Sequence, residues 1–255
     1  MDLTLDSTLV VVVAGAVVAG FVQGLSGFAF GLVATSIWAW WLPPQMVAPL
    51  SVFGALVGQL IAVFTVKRGL HWAKLGPMLA GGLAGIPLGL LLLPQLDAPT
   101  FQLAVGLLLA VWCPVMLFSG RIPHLRRGGR LADAASGLAG GLTGAVAGFA
   151  GPIPTLWATL RGWDRDTLRT VVQNFNLAML VVTLAAYTAR GMVTPPMVSL
   201  LPWVAAAVLV PVLLGARLYA GLSTETFKRV VLALLALTGA ALLVRALPPL
   251  LARAG

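Results

Sequence analysis

Apolar runs of membrane-spanning length recur from Leu9 to Leu251, separated by short breaks rich in charge or proline. The breaks divide the chain into ten apolar segments, near residues 7–23, 27–42, 45–66, 75–93, 100–119, 132–147, 150–160, 167–189, 196–220 and 226–247. Five lie on each side of a basic loop, Arg121 to Arg130. This pattern predicts an all-α polytopic membrane protein with an N-terminal membrane repeat over 1–120, a basic linker over 121–131 and a C-terminal membrane repeat over 132–255.

The two halves begin alike. Gly20-Phe-Val-Gln-Gly24-Leu-Ser-Gly27-Phe28-Ala29 returns as Gly141-Leu-Thr-Gly144-Ala-Val-Ala-Gly148-Phe149-Ala150, in each case a glycine, six residues, then Gly-Phe-Ala. Length limits what these stretches can form. The 29 residues from 132 to 160 are too few for two full spans, which need roughly 20 residues each at about 1.5 Å of rise per residue. Two short helices are therefore expected, meeting in a re-entrant hairpin whose turn, Gly148 to Pro154, lies within the bilayer depth. Residues 7–42 leave room for a hairpin of nearly full length.

Charge then orients the segments. With the N-terminus outside, the cytoplasmic loops collect Lys67, Arg68, Lys74, Arg121, Arg126, Arg127, Arg130, Arg161, Arg165, Arg169, Arg217, Lys228 and Arg229, leaving only Arg190, Arg245 and Arg253 of the 16 Lys and Arg residues outside. Both termini then lie on the outer side. Merging each glycine-rich pair into one span would move Arg161, Arg165 and Arg169 outside, against the charge bias. Because five is odd, the second half starts on the opposite side from the first, so the halves are expected to be inverted repeats.

Composition agrees: 60% of residues are hydrophobic, 9% are charged and mean hydropathy is +1.01. No room is left for a soluble domain, and the first run, with no basic residue before it, does not read as a signal peptide. The net charge of +9 is spread over loops with no aromatic-basic stripe, so topology rather than nucleic acid accounts for it. Cys113 is alone in an apolar run, which excludes an internal disulfide or a cysteine metal site. His71 and His124 lie in basic loops, and Asp2, Asp6, Asp97, Asp133, Asp164, Asp166 and Glu225 all fall at or near segment ends. A buried acid relay for proton or sodium coupling, a metal or cofactor centre and an enzyme active site are accordingly not expected.

A helix broken in lipid frees backbone polar groups that must be buried in protein or line a wet cavity. Two breaks entering from opposite faces can share one cavity, with the helix ends near Phe28 to Thr35 and Pro152 to Trp157 turning their positive dipoles into it. A small anion is the natural occupant. Gln23, Ser26, Thr35 and Ser36 flank the first break, and Thr143, Thr155 and Thr159 the second. Gln173, Asn174 and Asn176 set three amides inside an apolar segment, with Gln59 as the nearest counterpart in the first half. Plainer readings stand beside these: the glycine spacings let helices pack closely, single hydroxyls bond their own helix, and the amides bond between helices.

The stretches at Gly20–Ala34 and Gly140–Pro152 resemble the TauE/SafE family of sulfite and organosulfonate exporters, over both halves and nearly the whole length. The resemblance implies an eight-span secondary transporter of the bacterial inner membrane, with an internal duplication and, given the charge bias, periplasmic termini; the ten segments match it if two short ones are missed in that description or are re-entrant. It also implies a substrate such as sulfite, a sulfoacetate-like sulfonate or a related anion. Carried-over positions are Gly24, Gly27, Phe28, Gly148 and Gly151. Where many members carry three glycines, this chain has Ala150-Gly151-Pro152, with fewer flexible backbone donors. The expected substrate-binding set is Gln23, Gly24, Ser26, Gly27, Phe28, Thr35, Gly148, Gly151, Thr155, Gln173, Asn174 and Asn176. An anion channel or a non-transporting assembly subunit are the competing readings, and a homodimer is compatible with each.

Overall fold

The structure, a computed structural model, describes residues 5–65, 69–119, 125, 128–218 and 224–254. Asp2, Lys67, Arg68, Arg121, His124, Arg126 and Arg127 lie outside the described residues, as does most of the 121–131 linker. Ten helices follow in order among them: α1 (Leu5–Ser26), α2 (Phe30–Trp38), α3 (Pro44–Thr65), α4 (Trp72–Leu92), α5 (Ala98–Leu117), α6 (Gly129–Ala147), α7 (Pro152–Leu160), α8 (Arg165–Ala189), α9 (Pro195–Leu218) and α10 (Thr224–Ala254). No strand occurs among the described residues. Seven of these helices are long and apolar enough to cross a membrane, α2, α6 and α7 being the others. In hydrocarbon the backbone must satisfy its own hydrogen bonds, so the apolar runs close into helices. Asp97 and Asp164 start α5 and α8 by accepting from the N–H groups of Thr100 (3.0 Å) and Thr167 (2.9 Å).

The short elements are the glycine-broken ones. α2 and α7 have nine residues each, about 13 Å of helix, less than half of the roughly 30 Å hydrocarbon core. The apolar run expected to continue from 27 to 42 is helical only to Trp38; Ala39 to Leu42 form a turn instead. Both short helices fold back along the helix before them. Trp38 Nε1 donates to the Val11 carbonyl (3.2 Å), and Trp157 Nε1 donates to Asp133 Oδ1 (2.7 Å). The first element therefore is a full-length helix plus a half-length return, and the second repeats it; the two short helices expected there are corrected, because α6 starts at Gly129, inside the basic linker, and runs 19 residues.

Contacts between helices fix their directions. α3 runs parallel to α1, with Gln23 on Ala55 and Gln59 on Gly27. α4 and α6 are parallel, since Gly82 lies against Gly141 and Gly89 against Ala145. α1 and α9 are parallel too, with Gly20 against Val208 and Gly24 against Val212. α5 and α10 are antiparallel: Asp97 at the start of α5 pairs with Arg253 at the end of α10, while Gly106 meets Gly239 and Leu243. Because α5 and α10 hold the same place in their halves, their opposed directions identify inverted repeats. Partner choice obeys the same exchange: α1 packs on α9 as α6 does on α4, α3 on α9 as α8 on α4, and α2 on α10 as α7 on α5.

These directions gather Lys74, Arg130, Arg161, Arg169, Arg217 and Arg229 at one end and Arg190, Arg245 and Arg253 at the other. The buried core runs through α2, α3 and α8, with Phe30, Trp38, Leu50, Val52, Phe175 and Met179 almost inaccessible. Leu209, Val210, Leu237 and Val244 stay exposed along α9 and α10, as a lipid-facing rim requires.

Candidate functional site

The two helix breaks meet each other at the centre of the fold. Each long helix ends on a glycine in the left-handed region, Gly27 (φ 84°) and Gly148 (φ 75°), whose N–H bonds back to Gln23 O (2.7 Å) and Gly144 O (2.9 Å). Only glycine adopts that turn without strain. Gly31, in the first turn of α2, lies so close to the Gly148 carbonyl that a Cβ there has no room. Phe28 packs on Gly151, where an added Cβ would come 3.1 Å from the Phe28 ring and 3.6 Å from Asn176 Oδ1. Thr35 Oγ1 donates to the Ala147 carbonyl at 2.6 Å and lies 2.9 Å from Ser51 Oγ.

α3 and α8 supply the polar walls. Gln59 Nε2 donates to Gly27 O (2.7 Å), and a Cβ on Gly27 would stand 2.6 Å from Gln173 Nε2. Gln23 Nε2 donates to Ala55 O (2.9 Å), leaving its Oε1 without a partner. Asn176 is 2% exposed and its Nδ2 has no partner either. A buried amide nitrogen with nothing to donate to is costly, which marks it for a ligand or water.

Several carbonyls at the breaks are answered by protein donors, while among the described residues those of Ser26, Phe28, Gly148 and Ala150 carry no hydrogen bond to the protein. Besides Gly27 and Ala147, Ala145 O accepts from Tyr187 Oη (2.6 Å), Phe149 O from Thr143 Oγ1 (3.1 Å) and Pro152 O from Trp112 Nε1 (2.8 Å). Several N–H groups are left free as well. Ala29 N donates to Ser26 Oγ (3.2 Å), but among the described residues those of Phe28, Phe30, Gly31, Phe149, Ala150 and Ile153 carry no hydrogen bond to the protein. Free N–H groups at the starts of α2 and α7 can serve an anion. The supply of N–H groups is lopsided: α7 opens Pro-Ile-Pro, and Pro152 and Pro154 bring no N–H, whereas α2 opens Phe-Gly-Leu.

Other expected residues fall elsewhere. Gly24 faces α9, its Cβ direction filled by the Val212 carbonyl and by Gly215, so it serves helix packing. Asn174 turns away from the breaks and donates to Gly69 O (3.0 Å). Thr155 and Thr159 bond their own helix, to Gly151 O and Thr155 O (2.7 Å each), as does Ser36 to Val33 O (2.8 Å). Ser26 is exposed at the tip of the first hairpin. Thus Gln23, Gly27, Phe28, Thr35, Gly148, Gly151, Gln173 and Asn176 are brought around the breaks. Ser51, Trp112 and Tyr187 were not among the expected set; an isolated polar group inside an apolar run was the available signal for each.

The described residues contain no cluster of three or more His, Cys, Asp or Glu able to hold a metal ion. One buried carboxylate, Asp133, sits at the start of α6 against Trp157, away from the breaks. At the same end Lys74 Nζ lies 4.5 Å from the Trp163 ring centroid and the Arg161 guanidinium 5.6 Å from that of Trp157. Among the described residues, charge thus lies at the ends of the bundle.

No curated protein and no solved structure gives a match to this chain. The profile of the family described as Sulfite exporter TauE/SafE matches residues 12–242, which takes in both hairpins and all but the outermost turns. With an all-helical membrane fold, two inverted halves and a family match over nearly its whole length, the chain belongs to the sulfite exporter TauE/SafE family of membrane transporters.

Proposed function

We propose that this protein exports a small sulfur oxyanion, sulfite or an organosulfonate, across the bacterial inner membrane by alternating access around the meeting point of its two hairpins. The observation that carries this reading is the set of free donors at the breaks: the N–H groups of Phe28, Phe30 and Gly31 and the buried Nδ2 of Asn176 carry no hydrogen bond, and the buried polar side chains around them are all neutral. The family supports a sulfur oxyanion as the cargo. The inverted halves support a site reached from either side in turn.

The charge layout also supports a driving force. With acids absent from the breaks, an anion needs no proton partner to leave a cell whose interior is negative. Each unit of negative charge moving outward gains about 2.3 kcal/mol per 100 mV. Purified protein in liposomes is expected to carry sulfite or an alkanesulfonate at a rate that rises with an imposed potential and does not respond to a pH gradient. Electroneutral, proton-coupled flux would sink the driving force; absence of any sulfur-oxyanion flux from folded protein would sink the function.

A further inference from the structure

We infer that the site accepts its oxyanion as a monoanion and rejects dianions, with Asn176 as the side chain that sets this selectivity. The inference rests on the proposed transport of sulfur oxyanions and adds which charge state is carried. The buried polar side chains around the breaks, Gln23, Thr35, Ser51, Gln59, Gln173 and Asn176, are all neutral. Arg161 and Lys74 are held over tryptophan rings at the end of the bundle, and Asp133 is hydrogen-bonded to one of those tryptophans. A bound anion is therefore met by dipoles and not by a counter-ion.

Dipoles and counter-ions discriminate charge differently. The cost of removing an ion from water grows with the square of its charge, whereas the attraction of fixed neutral donors grows only linearly. A second negative charge thus adds more desolvation than the donors return, and a dianion stays in water. For the monoanion, the free N–H groups at Phe28, Phe30 and Gly31 supply the helix-end donors, and Asn176 Nδ2, beside Gly151 and 2% exposed, is a side-chain donor left unpaired at the breaks. Phe28 and Phe149 bound the same place with apolar surface, which suits the carbon side of a sulfonate.

Sulfite passes from monoanion to dianion near neutral pH, an alkanesulfonate is a monoanion throughout, and sulfate is a dianion, so these three ligands separate the cases. Ligand-induced thermal stabilisation of the purified full chain is to be measured with sulfite, methanesulfonate and sulfate across neutral pH, with acetate and malonate as a carboxylate pair. The expected result is constant stabilisation by methanesulfonate, sulfite affinity that falls in step with its monoanion fraction as pH rises, and none by sulfate. Asn176→Leu should weaken methanesulfonate binding roughly tenfold or more, as loss of one hydrogen bond to a charged group implies. Asn176→Ser, which keeps a donor, should fall between; it serves if the leucine variant does not fold. Sulfate binding as well as methanesulfonate, or sulfite binding better as pH rises, overturns the charge rule. An unchanged affinity in both variants overturns the role of Asn176. Response to acetate but not malonate, with none to sulfur oxyanions, upholds the charge rule and removes the sulfur reading; no response to any anion removes both.

Discussion

The hydroxyl of Thr35 reaches from the first hairpin to the Ala147 carbonyl of the second and shares Ser51 on the way. It answers a carbonyl that α6 loses at its last turn, and it ties together two hairpins otherwise held by close backbone contact at Gly31 and Gly148. Thr35→Val keeps the shape and removes the donor, so an acceptor is left buried at a cost of about 1–3 kcal/mol. The expected outcome is a lower unfolding temperature together with weaker anion-induced stabilisation, because the breaks lose their mutual alignment. An unchanged melting temperature would show that Ala147 finds another donor. Thr35 was legible as a polar residue beside a break; its partner in the other half was not, since nothing in one sequence states which distant carbonyl it meets.

Among elements, the α1–α9 contact separates packing from binding. Gly24 lies in the repeated motif and invites a functional reading, yet its neighbours are the Val212 carbonyl, Gly215 and Ala216. Gly24→Ala should lower stability by about 1–3 kcal/mol through overpacking, while the affinity of the protein that remains folded for methanesulfonate stays as it was. A loss of affinity at full stability would return Gly24 to the site. The α5–α10 contact carries a pH dependence. Hydrogen bonds from Thr100, together with Arg253, hold the Asp97 carboxyl down at about 2, against an ordinary value of 3.8. A depressed carboxyl stabilises the fold above its unfolded value and loses that contribution as pH falls through the folded one. Thermal unfolding should therefore show a loss of stability between about pH 4 and 2 that Asp97→Asn reduces; an identical acid profile in the variant would assign that loss to other groups. Asp164, also lowered by Thr167, adds to the same window and limits how far one substitution can flatten it.

For the whole molecule, the number of segments, the positions of the two glycine breaks and the inversion of the halves were legible, because apolarity reports depth in the bilayer and basic residues report the side; the length of α6 was not, since its first turn is drawn from the polar linker. The end of α2 was not. Ala39-Trp-Trp-Leu is as apolar as the helix before it, and in a membrane the chain can turn inside protein without a change in hydropathy. Nor was the partnering of helices legible, since lipid and protein interior are alike apolar and no amphipathic period marks which face meets which. The structure interleaves the helices on either side of the 121–131 linker: α1 packs on α9, and α6 packs back on α4.

That interleaving has a consequence for biogenesis. As the chain leaves the ribosome and enters the bilayer, the first hairpin is made early, while α9, the surface against which Gly20 and Gly24 are cut to fit, comes out next to last. Through most of synthesis the α1 face is therefore covered only by lipid, and its broken tip waits for Gln173 and Gly148 to arrive. The second hairpin has no such wait, because α4 already stands in the membrane when α6 is inserted. Two halves that share one architecture are thus assembled in opposite orders, and a chain cut short before α9 leaves the ribosome with its oldest surface still unclaimed.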